Sequence, residues 1–380
     1  MDVQQPLALL GGISPEQFMQ RHWQKKPLLV RQAAPGALQL PGRAALFELA
    51  GRDAVESRLV AQVPAVRGQA PWSLRHGPFP RRALPPLRQR GWSLLVQGVD
   101  LHVDAAHSFL QQFRFVPDAR LDDMMISFAT DGGGVGPHFD SYDVFLLQLQ
   151  GRRRWRIGTQ RDLSLQLDVP LKILRNFTPL QEYLLEPGDM LYLPPRYAHD
   201  GVAMGECMTC SIGFRAPARA ELASELLQRL ADDAPEVLRD ALYRDRGQPA
   251  QDQPAAIPPA LHGFALEAVQ ALLQDPRALE RVLGEHLSEP KQGVWFDAPG
   301  PGPTPRRLAG VRLDRRTRML FDARHVFING ECYRTSGLDA RLMRQLANRR
   351  QLAPAAVRSA STQAQSLMQS WMEAGWMHEQ

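Results

Sequence analysis

Apolar positions follow two rhythms along this chain, and the change comes near residue 215. Before it, short apolar or alternating runs stand between glycine and proline punctuation: KKPLLVRQ at 25–32, SRLVAQV at 57–63, WSLRHGPF at 72–79, GWSLLVQGVDLH at 91–102, RLDDMMISFAT at 120–130 and YDVFLLQLQ at 142–150. GRRRW then opens a new strand at 151 after a turn. Residues 182–185, MLYLP at 190–194 and MTCSIGF at 208–214 continue the series, with EPGD at 186–189 as a tight turn. Such runs predict the short strands of an antiparallel sandwich or barrel of jelly-roll type. Two helices are predicted near the N-terminus. One lies at 14–23, where Ser14 is a good N-cap and Pro15 fills the first helical position, and the other at 44–50.

Beyond 215 apolar residues recur every three or four positions at 218–243 and 261–286, the pattern of amphipathic helices. A Pro- and Gln-rich linker at 247–260 separates them. DAPGPGPTP at 297–305 marks a second boundary. After it RMLFD, HVFIN and ECYRT read as short strands, with a turn at Ile328-Asn329-Gly330 and helices at 338–348 and near 362–377. Strands and helices in so short a stretch fit a small winged-helix-like domain. The expected chain is therefore α+β in three parts: 1–215, 216–298 and 299–380.

Composition narrows the class. A chain of 380 residues is too long for one ordinary domain, and 44% hydrophobic residues suit a real core. Lys and Arg exceed Asp and Glu by 45 to 40. That mild excess permits an RNA-rich neighbourhood without establishing one. Three cysteines, Cys207, Cys210 and Cys332, make no disulfide framework and point to a reducing compartment. The Cys207/Cys210 pair overlaps a predicted strand and has no second pair to complete a zinc site. No secretory pattern stands at the start, and no apolar run reaches membrane-spanning length. A cytoplasmic protein without membrane contact is expected.

Chemistry concentrates in DGGGVGPHFDSYDVFLLQLQGRRRWRIG at 131–158. His138 and Asp140 are two apart, which on a strand puts both side chains on one face. The apolar strand that follows is fit for burial, so a charged pair at its head needs a partner, and a metal would supply one. His199, beside the Pro-rich corner of EPGDMLYLPPRYAH, is a candidate third ligand. Two His and one carboxylate form the facial triad of non-haem Fe(II) oxygenases, with positions left open for a bidentate cosubstrate and dioxygen. Alternation places Arg153 and Trp155 on one face of the next strand and Arg152 and Arg154 on the other. An inward arginine could hold a carboxylate bidentately, but parity alone does not say which face is inside.

The 131–158 stretch, EPGDMLYLPPRYAHDGVA and SIGFRAP resemble the bacterial ribosomal oxygenases of the Jumonji-C (cupin) superfamily. Within them the resemblance is to the branch that hydroxylates an arginine of a large-subunit ribosomal protein. RHWQKKPLLVR and RLDDMMISF share the likeness, which is specific over about 21–217. It implies a double-stranded β-helix core that binds Fe(II) and 2-oxoglutarate and uses O2. It implies His138, Asp140 and His199 as iron ligands, Arg153 as partner of the distal 2-oxoglutarate carboxylate, and Ser127 as a second cosubstrate contact. It also implies a helical dimerisation segment, hence a homodimer, and a C-terminal winged helix that helps hold a ribosomal protein rather than reading DNA. A guanidinium substrate stays charged and needs carboxylates or aromatic faces. Asp131 and Tyr142 are candidates by proximity in sequence, with Asp143 beside them.

Three other readings stand beside this one. The chain could hydroxylate a histidine of another ribosomal protein. It could be a ligand-sensing regulator whose winged helix binds nucleic acid; 306–350 holds twelve Arg against four acidic residues. It could also be a metal cupin of different chemistry, such as an isomerase, though an isomerase needs no anchor for a distal carboxylate.

Overall fold

Ser14 accepts the backbone N–H of Gln17 while the Gln17 side chain accepts that of Ser14, and Pro15 occupies the first turn. This capping box starts α1 (Pro15–Arg21) at the expected place. The computed structural model describes residues 2–34, 39–62, 72–239, 241–250, 252–297 and 310–380. They divide into two units, Met1–Ala216 and Pro217–Gln380.

The first unit continues with β1 (Leu28–Val30), α2 (Arg43–Ala50), β2 (Ser57–Gln62), β3 (Trp72–His76), β4 (Trp92–Val96), α3 (Asp104–Leu110), β5 (Leu121–Ala129), β6 (Val144–Gly158), β7 (Gln181–Leu185), β8 (Met190–Leu193) and β9 (Ala198–Phe214). The strands join antiparallel in the order β1-β8-β6-β9-β5-β4-β2-β3, with β7 also paired to β6. This is the jelly-roll, double-stranded β-helix pattern.

Strand parity sorts the side chains. Met124, Ile126 and Phe128 of β5 join Phe145, Tyr192 and Phe214 in the main core, where Phe18 of α1 packs edge-on to Tyr192 at 4.9 Å. Their alternates face the other way: Ala129 packs with Ala203 and Cys207. Val144, Leu146, Trp155, Ile157, Leu185, Leu191 and Leu193 form a separate apolar lining. Cys207 and Cys210 consequently sit in different clusters and make no joint site.

Several details differ from the sequence reading, among them β9, which begins at Ala198, ten residues before the strand expected at 208–214. The turn expected before GRRRW is absent: β6 runs unbroken from Val144 to Gly158, and the ladder to β9 shifts register at Gln148/Gln150 and Gln150/Arg152. Gly151 takes φ +64° there, so a bulge bends one long strand where two were expected. The run at 91–102 ends as strand at Val96, because Gly98 turns left-handed and a short 3₁₀ turn follows at Val99–Leu101. The α3 helix was not foreseen, its seven residues being too short for a clear period.

In the second unit, α4 (Arg219–Asp232) and α5 (Ala234–Leu238) divide at Asp233, with Pro235 in the first turn of α5, and α6 (Pro259–Leu273) and α7 (Pro276–Ser288) divide at Gln274-Asp275, with Pro276 opening α7. There follow β10 (Val311–Leu313), β11 (Met319–Phe321), β12 (His325–Ile328), β13 (Glu331–Arg334), α8 (Gly337–Arg349), β14 (Gln351–Leu352), α9 (Pro354–Ser359), α10 (Thr362–Glu373) and β15 (Met377–Glu379). The strands form two three-stranded sheets around a core that includes Leu346, Met368 and Trp371. The boundary expected near 299 lies outside the described residues.

Candidate metal centre

His138 and His199 face each other across a single antiparallel bridge. The His138 N–H donates to His199 O at 2.9 Å and the His199 N–H to His138 O at 2.8 Å. The rings consequently lie with centroids 4.2 Å apart. Asp140 follows on the loop before β6, so the pair at 138 and 140 sits ahead of the strand rather than on it. Its carbonyl accepts the N–H of Arg196 at 2.7 Å, which ties this loop to the one that carries His199. The ligand atoms of His138, Asp140 and His199 all lie within 4.8 Å of one another, and Asp140 Oδ2 is 3.6 Å from His199 Nε2.

Both rings are oriented from behind. His138 Nδ1 bonds Gly136 O at 2.9 Å and His199 Nδ1 bonds Tyr197 O at 2.8 Å. A carbonyl only accepts, so Nδ1 carries the proton and Nε2 keeps its lone pair for a cation. Burial first, and then His138, pulls the His199 pKa from 6.5 to about 4. The imidazole is neutral at neutral pH, as a ligand must be. This donor set, two neutral nitrogens and a carboxylate, suits Fe(II). The glycine loop closes tightly against the site: a Cβ at Gly134 would stand 2.6 Å from Gly201 O.

The His199 shift has a consequence for stability. The unfolded chain takes up this proton near pH 6.5, the folded metal-free protein only near 4. The unfolded state therefore binds more protons between those values, and stability falls as pH falls through that window. The melting temperature of metal-free protein is expected to drop from pH 7 to pH 4.5. The drop should be shallower in His199→Gln, and an equal slope in that variant would remove His199 as its source.

Asp143, three residues beyond Asp140, is fully buried. It accepts from Tyr192 Oη at 2.6 Å and from Gln24 Nε2 at 3.1 Å, with Arg120 Nη2 at 3.6 Å. It pins the start of β6 to the N-terminal segment and is no part of a substrate pocket. Sequence proximity could not separate that role from the one proposed for its neighbours.

Arg153 follows the bulge and is 6% exposed, with Nε and Nη2 lacking any hydrogen-bond partner among the described residues. It shares a face of β6 with Trp155, its Cζ standing 5.7 Å from that ring. Ser127 is buried on β5, its hydroxyl making one long bond of 3.4 Å to Thr209 O. Tyr142 lies beside Asp140 and is 39% exposed; desolvation of its hydroxyl and then that carboxylate raise its pKa, so the phenol stays protonated. Asp131 is elsewhere engaged: its carboxylate accepts the Gly205 N–H at 2.8 Å and pairs with Arg90 at 2.7 Å.

Comparison with known proteins gives a consistent picture. Residues 108–222 match the JmjC domain family and residues 271–378 the ROXA-like winged helix. The chain is 35% identical over 329 residues to the ribosomal protein uL16 3-hydroxylase of Escherichia coli K12, covering 83% of this chain and 84% of that one. It is 36% identical over 209 residues to a probable ribosomal oxygenase of Haemophilus influenzae, covering 54% and 50%. Among solved structures, E. coli YcfD superposes with a TM-score of 0.81 at 29% identity, over 96% of this chain and 98% of that one. The same ribosomal oxygenase in complex with cobalt and 2-oxoglutarate gives 0.79 at 29% identity, over 96% and 97%.

Proposed function

This chain belongs to the JmjC ribosomal oxygenases, the family of the uL16 3-hydroxylase, and we propose that its own reaction is hydroxylation at Cβ of an arginine in that ribosomal protein. It is a 2-oxoglutarate-dependent dioxygenase that uses Fe(II) and O2. The observation that best supports the reading is the donor triad together with a buried arginine, Arg153, two of whose guanidinium nitrogens have no hydrogen-bond partner among the described residues, both in the same unit.

In this reading His138, Asp140 and His199 hold the iron through Nε2, a carboxylate oxygen and Nε2. Arg153 receives the far carboxylate of 2-oxoglutarate, and Ser127 turns its weakly bonded hydroxyl toward the same ligand. With O2, bound Fe(II) and 2-oxoglutarate would supply an oxidant able to hydroxylate an unactivated C–H bond, one oxygen atom going to the substrate and the other to succinate as CO2 is released. The chain's part is positioning. The carbonyls of Gly136 and Tyr197 fix both imidazoles, and the lining of Val144, Leu146, Leu191 and Leu193 keeps water out. Tyr142 offers the substrate an aromatic face. Asp131 would meet a guanidinium by exchanging Arg90 for it.

Purified protein with Fe(II), ascorbate and 2-oxoglutarate should add one oxygen to uL16, a gain of about 16 Da, with fragmentation placing it on an arginine. Oxygen on a histidine would move the chain to the histidyl-hydroxylase reading. No 2-oxoglutarate-dependent gain on any ribosomal protein would overturn the activity.

The protein is proposed to act in the cytoplasm as a homodimer. α6 buries none of its residues, and Leu266, Val269 and Leu273 form an exposed stripe at helical spacing. A second copy covers such a stripe by symmetry. Light scattering should give about twice 42.6 kDa for the wild type and half that for Leu266→Asp with Val269→Asp. An unchanged mass in the double variant would put the interface elsewhere. Nucleic acid is not among the proposed partners. Arg344 and Arg350 donate to backbone carbonyls and Arg316 pairs with Asp314 and Asp297, so part of the basic stretch is used within the fold.

A further inference from the structure

Trp155 is buried to 4% exposure, and its indole Nε1 has no hydrogen-bond partner among the described residues. A buried Trp N–H normally finds an acceptor. Two residues earlier on the same face of β6, Arg153 is in the same condition, with two guanidinium nitrogens unpartnered. The two side chains touch, Arg153 Cζ lying 5.7 Å from the Trp155 ring centroid. That ring in turn lies 5.8 Å from the His199 ring. So a run of buried donors without acceptors extends from Arg153 to the edge of the metal triad.

We propose that Trp155 is a further cosubstrate contact: its indole N–H donates to an oxygen of the bound 2-oxo acid, and its ring walls the pocket between Arg153 and His199. This rests on the assignment of the triad and Arg153 given above. A dianion is the ligand class that answers the pattern, because it brings acceptors to two side chains whose donors are unpartnered among the described residues. On β9 the cross-strand partner of Trp155 is Gly201, where a Cβ would stand 2.6 Å from the ring. The bare backbone at Gly201 leaves the room that the ring occupies against β9. Phenylalanine could fill much of the same space. Only tryptophan adds the donor.

The test is calorimetric titration of the full-length protein with 2-oxoglutarate, under argon with Mn(II) in place of iron. Trp155→Phe and replacement of Trp155 by benzothienylalanine, which keeps the shape and lacks the N–H, should both weaken binding by about 10- to 100-fold, as for loss of a hydrogen bond to a charged group. Mn(II) affinity without 2-oxoglutarate should stay at the wild-type value. The benzothienyl variant guards against misfolding, and its melting temperature should match the wild type. Wild-type affinity in that variant would overturn the proposal, even if Trp155→Phe binds poorly, since packing alone would then explain the residue. If the wild type itself bound no 2-oxoglutarate, the cosubstrate reading would fall first, and Arg153→Met would show no further loss.

Discussion

Alanine at position 138 is expected to abolish turnover while leaving the fold in place. The bridge that aligns His138 with His199 is made by backbone atoms, at 2.9 and 2.8 Å, and survives loss of the side chain. The side chain adds one bond from Nδ1 to Gly136 O and offers Nε2 to the centre. Removing only the partner behind a metal-bound histidine typically costs about 10- to 100-fold in metal affinity or activity. Removing the donor itself should exceed that upper bound, leaving two groups for a cation that needs three protein ligands. Mn(II) titration should show affinity lowered by more than about 100-fold, and 2-oxoglutarate turnover should fall to background. The melting temperature of metal-free protein should hardly change. Hydroxylation at the wild-type rate in His138→Ala would refute the assignment of His138 as a ligand.

That experiment bears on what a linear reading can and cannot see. The spacing of His138 and Asp140 and the proline corner before His199 are visible because glycine, proline and histidine are locally distinctive. The bridge that joins them spans sixty-one residues and is set by how β6 and β9 pair, which no local window contains. The same limit explains the error at Gly151. Glycine beside an arginine run fits a hairpin turn or a bulge equally well, and only the partner strand decides. Parity beyond the bulge then depends on its register shift, so which arginine faces inward could not be read by alternation from Leu147. Asp143 shows a different limit. A carboxylate next to a metal motif looks functional, and only three-dimensional packing reveals that Tyr192 and Gln24 already engage it.

Arg153→Met is expected to move stability and binding in opposite directions. A buried cation with unpaired donors is costly to the free protein, since it loses water and gains no carboxylate in return. Methionine fills similar volume without charge or unmet hydrogen bonds. Replacing even a whole buried ion pair by apolar groups of similar volume is often neutral or stabilising by about 1–4 kcal/mol, and an unpaired cation has less attraction to lose. The melting temperature of metal-free protein should therefore hold or rise. Cosubstrate binding should behave otherwise. A bidentate arginine–carboxylate pair in a buried site costs about 3–5 kcal/mol when one partner is removed, or about 100- to 4,000-fold in affinity. Arg153→Lys should fall between, because a single ammonium keeps the charge but not the fork. Titration with 2-oxoglutarate and a thermal melt on the same samples would measure both. A large drop in stability without 2-oxoglutarate would mean that Arg153 serves the fold. Unchanged affinity would mean that the distal carboxylate is held by another residue. Stability held and affinity lost would identify a residue kept at the fold's expense for a ligand, the trade expected where a site is prepared in advance.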